Sequence, residues 1–526
     1  MHIENTMKTA VLSLFAFLAG LSPWSPVSAR AADDGEIRAL KAQVRDLQER
    51  LGRLERDRAA APSGAAKAYW KNGFRIEYTD PASGSSYKFR FRTGIQLRYT
   101  YAVPDDALAD DVTDNDENYS SFVMRRLRFF VDGTAPSPDW RYFVHVQLEP
   151  QSAVNVHDAF VQWQKFRALR VQFGRMKIPF GMEYWQSGFR QNGTDRTIFT
   201  GDSEMDKDLF GNRLYDFPGD NARLRVSKHR DSCGFPTGGM LLYRSQGVVL
   251  NGDLDLLGRK DFIDYRVGVF NGRDTRAWSS QDADMLYVAR IGINFLPGSD
   301  PKGPLGPSGF NNYFSQGDYG YNTRPLAALV IGGFHSTDRV KAYHQLDAAT
   351  TNPKTWHDTR NYGFDTALLF RFRGLSLDLE AGWEEFVQDP GKGTTASSDQ
   401  ETWDRLAARI NLGYFVIPKR LELVAKAAYF ERIRDNDAAA SLKSGLGLVT
   451  FEDGGEAVED NLQQYVLGVN YYLHGFNQYV TADVAWGRRE FTQVTAAEAA
   501  AFGVTPELSP GDQDDYRFRV MYQFLF

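Results

Sequence analysis

The chain has 526 residues, 42% hydrophobic and 14% aromatic, and its 61 basic against 67 acidic side chains leave a formal charge of −6. That balance argues against a nucleic-acid partner, and the single cysteine, Cys233, excludes an internal disulfide or a multi-cysteine metal site. Mean hydropathy is −0.44, and no mature segment approaches the ~18 consecutive apolar residues of a spanning helix. Phe, Tyr and Gly predominate instead, the residues of strands, aromatic girdles and tight turns.

In chain order, Met7-Lys8, the apolar residues 10–21 and the small residues around Ala29-Arg30-Ala31 form the three parts of a secretory signal peptide over residues 1–31. The run is too short for a membrane anchor, so export is expected. Residues 32–61 carry Ile37, Leu40, Val44, Leu47, Leu51 and Leu54 at alternating spacings of three and four, a heptad seam. So short a helix is marginal alone, and the seam predicts a coiled coil between subunits whose barrels already associate. An amphipathic helix lying on or plugging its own barrel is the alternative. Residues 62–73, with Pro62 and Gly64, read as a linker.

Residues 74–526 keep a period of two to the end. Alternating segments begin near residues 87, 120, 139, 156, 168, 246, 263, 285, 326, 361, 374, 403, 419, 461, 477 and 514, each of about ten residues, the pattern of a membrane barrel. The clearest places Tyr87, Phe89, Phe91, Ile95, Leu97, Tyr99 and Tyr101 on one phase and Lys88, Arg90, Arg92, Gln96 and Arg98 on the other. The last puts Tyr516, Phe518, Val520, Tyr522, Phe524 and Phe526 opposite Arg517, Arg519 and Gln523. An aromatic face toward lipid and a charged face toward a wet lumen is what a closing barrel strand needs. The expected fold is an all-β, sixteen-stranded antiparallel transmembrane barrel preceded by a short coiled-coil helix.

Links after odd-numbered strands are mostly long and polar, and links after even ones mostly tight, as required when both termini lie in the periplasm. Residues 297–324 break this rule, being long where a tight turn is due, which leaves room for one more hairpin. Alternation at residues 221–227 and 239–245 suggests an extra hairpin inside the third outer loop.

Phe173-Gly174-Arg175-Met176-Lys177-Ile178-Pro179-Phe180-Gly181 resembles the signature of the phosphate-selective porin O and P family. Arg125-Arg126-Leu127-Arg128, Asp158-Ala159-Phe160-Val161 and Val269-Phe270-Asn271-Gly272 extend the resemblance, which spans about residues 73–526. It implies a sixteen-stranded trimeric outer-membrane channel in a Gram-negative bacterium, a coiled coil in some members, and phosphate or polyphosphate as cargo. Characterised members have a lysine cluster on an inward-folded third loop. Here residues 175–245 instead mix Arg190, Arg196, Lys207 and Arg213 with Asp195, Asp202, Glu204 and Asp206.

Closure sets the last strand beside the first, so Arg517 and Arg519, then Lys88, Arg90, Arg92 and Arg98, then Arg126 and Arg128 form one basic wall. Arg517, Arg519 and Arg98 should lie high, Arg126 and Arg128 near the middle, and Arg92, Arg90 and Lys88 low. Such rows favour anions through charge-assisted hydrogen bonds at several weak sites. Arg175, Lys177, Arg190 and Arg196 are the candidates for a third-loop constriction. Asp378, Glu380 and Glu384 on the eleventh strand favour the competing picture, a transverse field in an unselective porin. Asp105, Asp106, Asp110, Asp111, Asp114, Asp116 and Glu117 fit no twelve-residue calcium loop and read as a solvated acidic loop facing lipopolysaccharide. His145 and His157 lack the clustered partners of a metal site.

These residues point to a passive homotrimeric channel for small anions, phosphate or polyphosphate first, set in outer-membrane lipid and lipopolysaccharide, with no cofactor. A general diffusion porin is the alternative. A structural barrel tied to the cell wall through residues 32–61 is a second, and an outer-membrane hydrolase with a Ser or Asp/His group at the rim is a third.

Overall fold

The computed structural model describes residues 66–103, 119–148, 154–200, 240, 242, 244–271, 285–298, 313–341, 356–388, 401–431, 448–450, 456–493 and 512–526. The expected signal peptide, the heptad segment, the acidic residues 105–117 and the expected hairpin strand at residues 221–227 lie outside this set.

A hairpin of β1 (Lys67–Trp70) and β2 (Phe74–Thr79) precedes β3 (Ser86–Val103), β4 (Tyr119–Thr134), β5 (Trp140–Gln147), β6 (Asn155–Trp163) and β7 (Arg170–Lys177). There follow β8 (Arg244–Leu256), β9 (Arg259–Phe270), β10 (Leu286–Pro297), β11 (Leu326–Lys341), β12 (Trp356–Phe372), β13 (Leu375–Gln388), β14 (Glu401–Ile417) and β15 (Leu421–Glu431). After the short β16 (Leu448–Thr450) come β17 (Glu456–Tyr472), β18 (Gln478–Gln493) and β19 (Gln513–Leu525).

Every neighbour from β3 onward pairs antiparallel, with β16 a side branch on β17, and β19 returns to β3 from Tyr516↔Val103 to Leu525↔Gly94. Sixteen strands thus close a barrel, at the positions the alternation predicts. Closure leaves no long edge of unpaired backbone groups, which lipid could not satisfy. The long link between β10 and β11 adds no barrel strand, because these two pair directly from Leu286↔Ser336 to Pro297↔Leu326.

Alternation sorts the faces as read from the sequence. Leu97, Phe122, Met124, Val267, Phe364, Tyr414, Leu467 and Phe524 are exposed on the outer face, while Gln96, Arg98, Arg126, Glu380, Arg409, Asp483 and Arg519 are buried inside. Aromatic side chains stack outward along the ladders, Tyr465 on Trp486 at 5.0 Å and Trp486 on Tyr516 at 6.5 Å. At the opposite end, β2 pairs with the first residues of β3, below the stretch that β19 occupies. Trp70 stacks on the ring of Phe526 at 6.4 Å, and the Phe526 backbone exchanges hydrogen bonds with Thr93 at 2.8 and 2.9 Å.

Candidate permeation pathway

β6 and β7 have nine and eight residues against 18 for β3, so the chain leaves the wall early after Lys177 and turns into the lumen. Its apolar residues find apolar patches there. Ile178 and Phe180 pack with Val249, Phe270, Val288 and Phe334, and Phe199 packs with Ala407, Phe430 and Val466. Between these anchors the loop crosses the barrel. A Cβ at Gly94 of β3 would sit 2.5 Å from the ring of Phe189, so the missing side chain there makes room for the crossing.

Polar groups fix the crossing from end to end. A helical turn, Met182–Trp185, directs the backbone N–H groups of Met182 and Glu183 at the Glu380 carboxylate on β13. Gln186 donates to Asp378 at 3.0 Å, and the Glu183 carboxylate accepts from Thr197 N at 3.1 Å and from Thr197 and Thr200 hydroxyls at 2.7 Å. Thr194 donates from both N and Oγ1 to Asp483 on β18, at 2.9 and 2.7 Å.

Asp195 is the central anchor. Arg125 donates to it at 2.7 Å, Arg98 bonds it directly, and Arg126 and Arg519 lie 3.7 and 3.8 Å away, with every partner nearly sealed from solvent. Burial alone would raise this carboxyl; the guanidinium groups of Arg125, Arg98, Arg126 and Arg519 outweigh it and hold the group below the usual carboxylate range. Two charges so buried contribute only when both are paired, and here four cations share one anion.

The register places the candidate cations at the expected heights. Arg517 and Arg519 pair with Ala102 and Thr100, Arg126 with Gln96, Arg128 with Gly94, Arg92 with Phe130, and Arg90 with Asp132. Their surroundings differ. Arg98, Arg126 and Arg519 hold the third loop through Asp195. Arg128 and Arg517 are buried on the same wall, and Lys88 is exposed at its foot. Arg90 and Arg92 share Asp132 at 2.7 and 3.3 Å and keep 24% and 22% side-chain exposure.

The third-loop cations also divide. Lys177 donates to the carbonyls of Tyr184, Trp185 and Gln186 at 2.7 to 3.3 Å, and Arg196 to those of Glu183, Tyr184 and Gln186 at 3.0 to 3.5 Å. Both satisfy the open end of the helical turn. Arg175 donates to the Val156 carbonyl at 3.1 Å and ties β7 to β6. Arg190 instead donates to Ser315 Oγ at 3.5 Å and lies over the ring of Phe476 at 5.7 Å; burial first, then Arg92 and Arg90, push it down to about 10.

Across the lumen Asp378, Glu380 and Glu384 do point inward, but each meets a guanidinium from an adjacent strand. Arg371 lies 2.5 Å from Asp378, Arg409 2.6 Å from Glu380, and Arg405 bonds Glu384. Side-chain exposure of these carboxylates is 1%, 0% and 3%. The wall is therefore internally neutralised.

Alternation missed two participants. Pairing shifts between Gln96 and Leu97, so β4 bulges and turns both Arg125 and Arg126 into the lumen. The signal was the doublet itself, since strict alternation would drive one arginine into lipid. Asp195 carried no signal, because its partners lie on strands far away in sequence. Among the described residues no His, Cys, Asp and Glu cluster fits a metal ion; His145 bonds Asp158 at 2.8 Å and stacks on His157.

Residues 91–216, from β3 into the third loop, match the family model of the phosphate-selective porins O and P. The chain is an outer-membrane channel protein, similar over those residues to that family. It spans the outer membrane of a Gram-negative bacterium. Among solved structures it is similar to an anion-selective porin from Comamonas acidovorans, at 10% identity, TM-score 0.45, covering 83% of this chain and 100% of that chain. The outer-membrane channel DcaP of Acinetobacter baumannii aligns at 12% identity and TM-score 0.42, covering 85% and 99% of the two chains. OmpT, an outer membrane protein of Vibrio cholerae, aligns at 13% and 0.41, covering 83% and 98%. No curated protein sequence matches the chain.

Proposed function

We propose that this porin conducts small anions, with phosphate or polyphosphate first among them. One observation carries the reading: Arg90 and Arg92 are partly exposed around a single carboxylate, Asp132, while the carboxylates opposite are sealed in ion pairs. Arg141 belongs to the same group; its guanidinium lies over Phe143 and Phe160 at 5.9 and 5.8 Å. A permeating oxyanion exchanges water for charge-assisted hydrogen bonds at such a cluster, and the shared Asp132 keeps each site weak enough to release it. The arginines higher on the wall serve the path indirectly, by holding the loop that narrows it.

The deciding measurement is reversal potential in a planar bilayer under a potassium chloride gradient, followed by phosphate block of the chloride current. Anion selectivity with block at phosphate concentrations below those of chloride supports the reading. Cation selectivity, or none, makes the protein a general diffusion porin.

The assembly we propose is a homotrimer, joined by its barrels and by a coiled coil over residues 32–61. Removing residues 32–61 is then expected to leave conducting barrels whose trimers dissociate at a lower temperature. Unchanged dissociation on heating would assign the heptad seam another role.

A further inference from the structure

We infer that residues 313–322, in the connection between β10 and β11, are a second constriction element that seals the charge-paired half of the lumen and confines solutes to the arginine-lined half. The inference rests on the anion pathway proposed above and adds the device that makes it selective.

The segment enters from the end of the tight turns. Asp318 accepts a hydrogen bond from Gly374 N, in the turn between β12 and β13, at 2.8 Å, and Arg373 N donates to Asn322 O at 2.7 Å. The ring of Tyr319 packs against Phe415, Tyr472 and Phe476 at 6.1, 5.2 and 5.4 Å, at the feet of β14 and β17 and in the turn to β18. From there the chain rises into the barrel, where Tyr313, Gln316 and Asp318 are buried.

Its upper side docks on the third loop. Ser187 N donates to Phe314 O at 3.0 Å, Gln316 N to Arg190 O at 2.8 Å, and Asn192 N to Gln316 Oε1 at 2.9 Å, while Gln316 Nε2 donates to Gln186 Oε1 at 3.0 Å. Gln316 therefore uses its backbone N–H and both ends of its side-chain amide on one neighbour. Two insertions from opposite ends of the barrel meet here and brace each other.

Its lateral side covers the wall. Arg371, the partner of Asp378, donates to Ser315 O at 3.3 Å. At Gly317, with φ 76°, an added Cβ would lie 2.6 Å from Glu422 Oε1, so the backbone rests directly on that carboxylate. Glu422 accepts from Asn470 at 2.9 Å and Tyr472 at 2.7 Å. Ser376, also inward on β13, is sealed as well.

Selectivity follows from what is covered. The sealed half carries Arg371 with Asp378, and Glu422, under this segment and Arg409 with Glu380 under the third loop, charges that nearly cancel. Opened, it would add a parallel path with no preference of sign. The uncovered half keeps Arg90 and Arg92. A channel with both halves open would conduct more and discriminate less.

The test uses full-length porin with Gln316→Ala, Asp318→Ala and Tyr319→Ala combined, and Gln316→Ala alone as the milder variant. A parallel pair carries Cys233→Ser and Ser376→Cys for modification by a cationic methanethiosulfonate reagent. Undocking is expected to raise single-channel conductance about 1.5- to 3-fold and to lower the anion-to-cation permeability ratio at least about twofold toward unity. It should also speed modification at Ser376→Cys by about tenfold or more. Folded variants that keep the wild-type conductance, ratio and thiol protection overturn the inference. A wild type that is not anion-selective overturns the pathway reading instead; thiol protection and conductance then still decide whether the segment seals this half.

Discussion

Arg125, which the bulge in β4 turns into the lumen, donates to Asp195 in the third loop at 2.7 Å across 70 residues of sequence. That bond joins a basic barrel wall to the element that narrows the barrel, and it means that part of the wall's charge is spent on the protein itself. Asp195→Ala removes the anion shared by Arg98, Arg125, Arg126 and Arg519. Breaking so buried an arrangement from one side should cost about 3–5 kcal/mol. Thermal unfolding by circular dichroism should show a lower midpoint, and single-channel records should become noisier. An unchanged midpoint would show that the loop is held elsewhere.

The basic residues should separate into two classes by mutation. Replacing Arg90 and Arg92 by Ala is expected to shift reversal potential toward cations while leaving the unfolding free energy within about 1 kcal/mol of the parent, because both are partly exposed. Arg126→Ala should do the reverse, lowering stability first. Reversal potentials and melting curves on the same preparations check this, and equal effects of the two substitutions on selectivity would contradict it.

Acid should leave the narrowing in place. Asp195 has a depressed folded value, so its contribution is complete above the unfolded value near ~3.9 and is lost only as pH falls through the lower folded value. Asp318 has the opposite sign: burial raises it, against hydrogen bonds from Gly374 and Asn322, so its docking is favoured at acid pH and weakens as pH rises through the folded value. Loss of these two anchors is therefore not expected to raise conductance from about pH 7 down to about pH 4. A rise in conductance over that interval would sink this account.

The seam makes a graded prediction. Deleting Phe526 removes two backbone hydrogen bonds to Thr93 and the stack on Trp70, whereas Phe526→Ala keeps the backbone bonds. The deletion should impair outer-membrane insertion more than the substitution. Trp70→Ala should cost only the ~0.5–1.5 kcal/mol of an aromatic pair. Outer-membrane levels and heat-modifiability on gels test the ranking.

Much of the barrel was legible in one dimension because its rule is local. Successive side chains of a strand point to opposite faces, so the alternation from Tyr87 to Tyr101 and from Tyr516 to Phe526 told lipid from lumen without knowledge of any partner. The same rule ordered Arg517, Arg98, Arg126 and Arg90 by height, since register in a closed antiparallel sheet follows from strand direction.

What tertiary structure decided is which of those charges face water. Arg98 and Arg90 share one phase of one strand and look alike in sequence, yet one is sealed against Asp195 and the other partly exposed beside Asp132. Lys177 and Arg196 read as pore cations and instead satisfy the carbonyls of a helical turn. Residues 313–322 read only as a turn too long for its place. These outcomes depend on segments that fold inward from opposite ends and meet at Gln186 and Gln316, and a contact between loops of unrelated sequence leaves no periodicity to read. Alternation decides where a side chain points. Whether its charge is answered is decided by what arrives from the other side of the barrel.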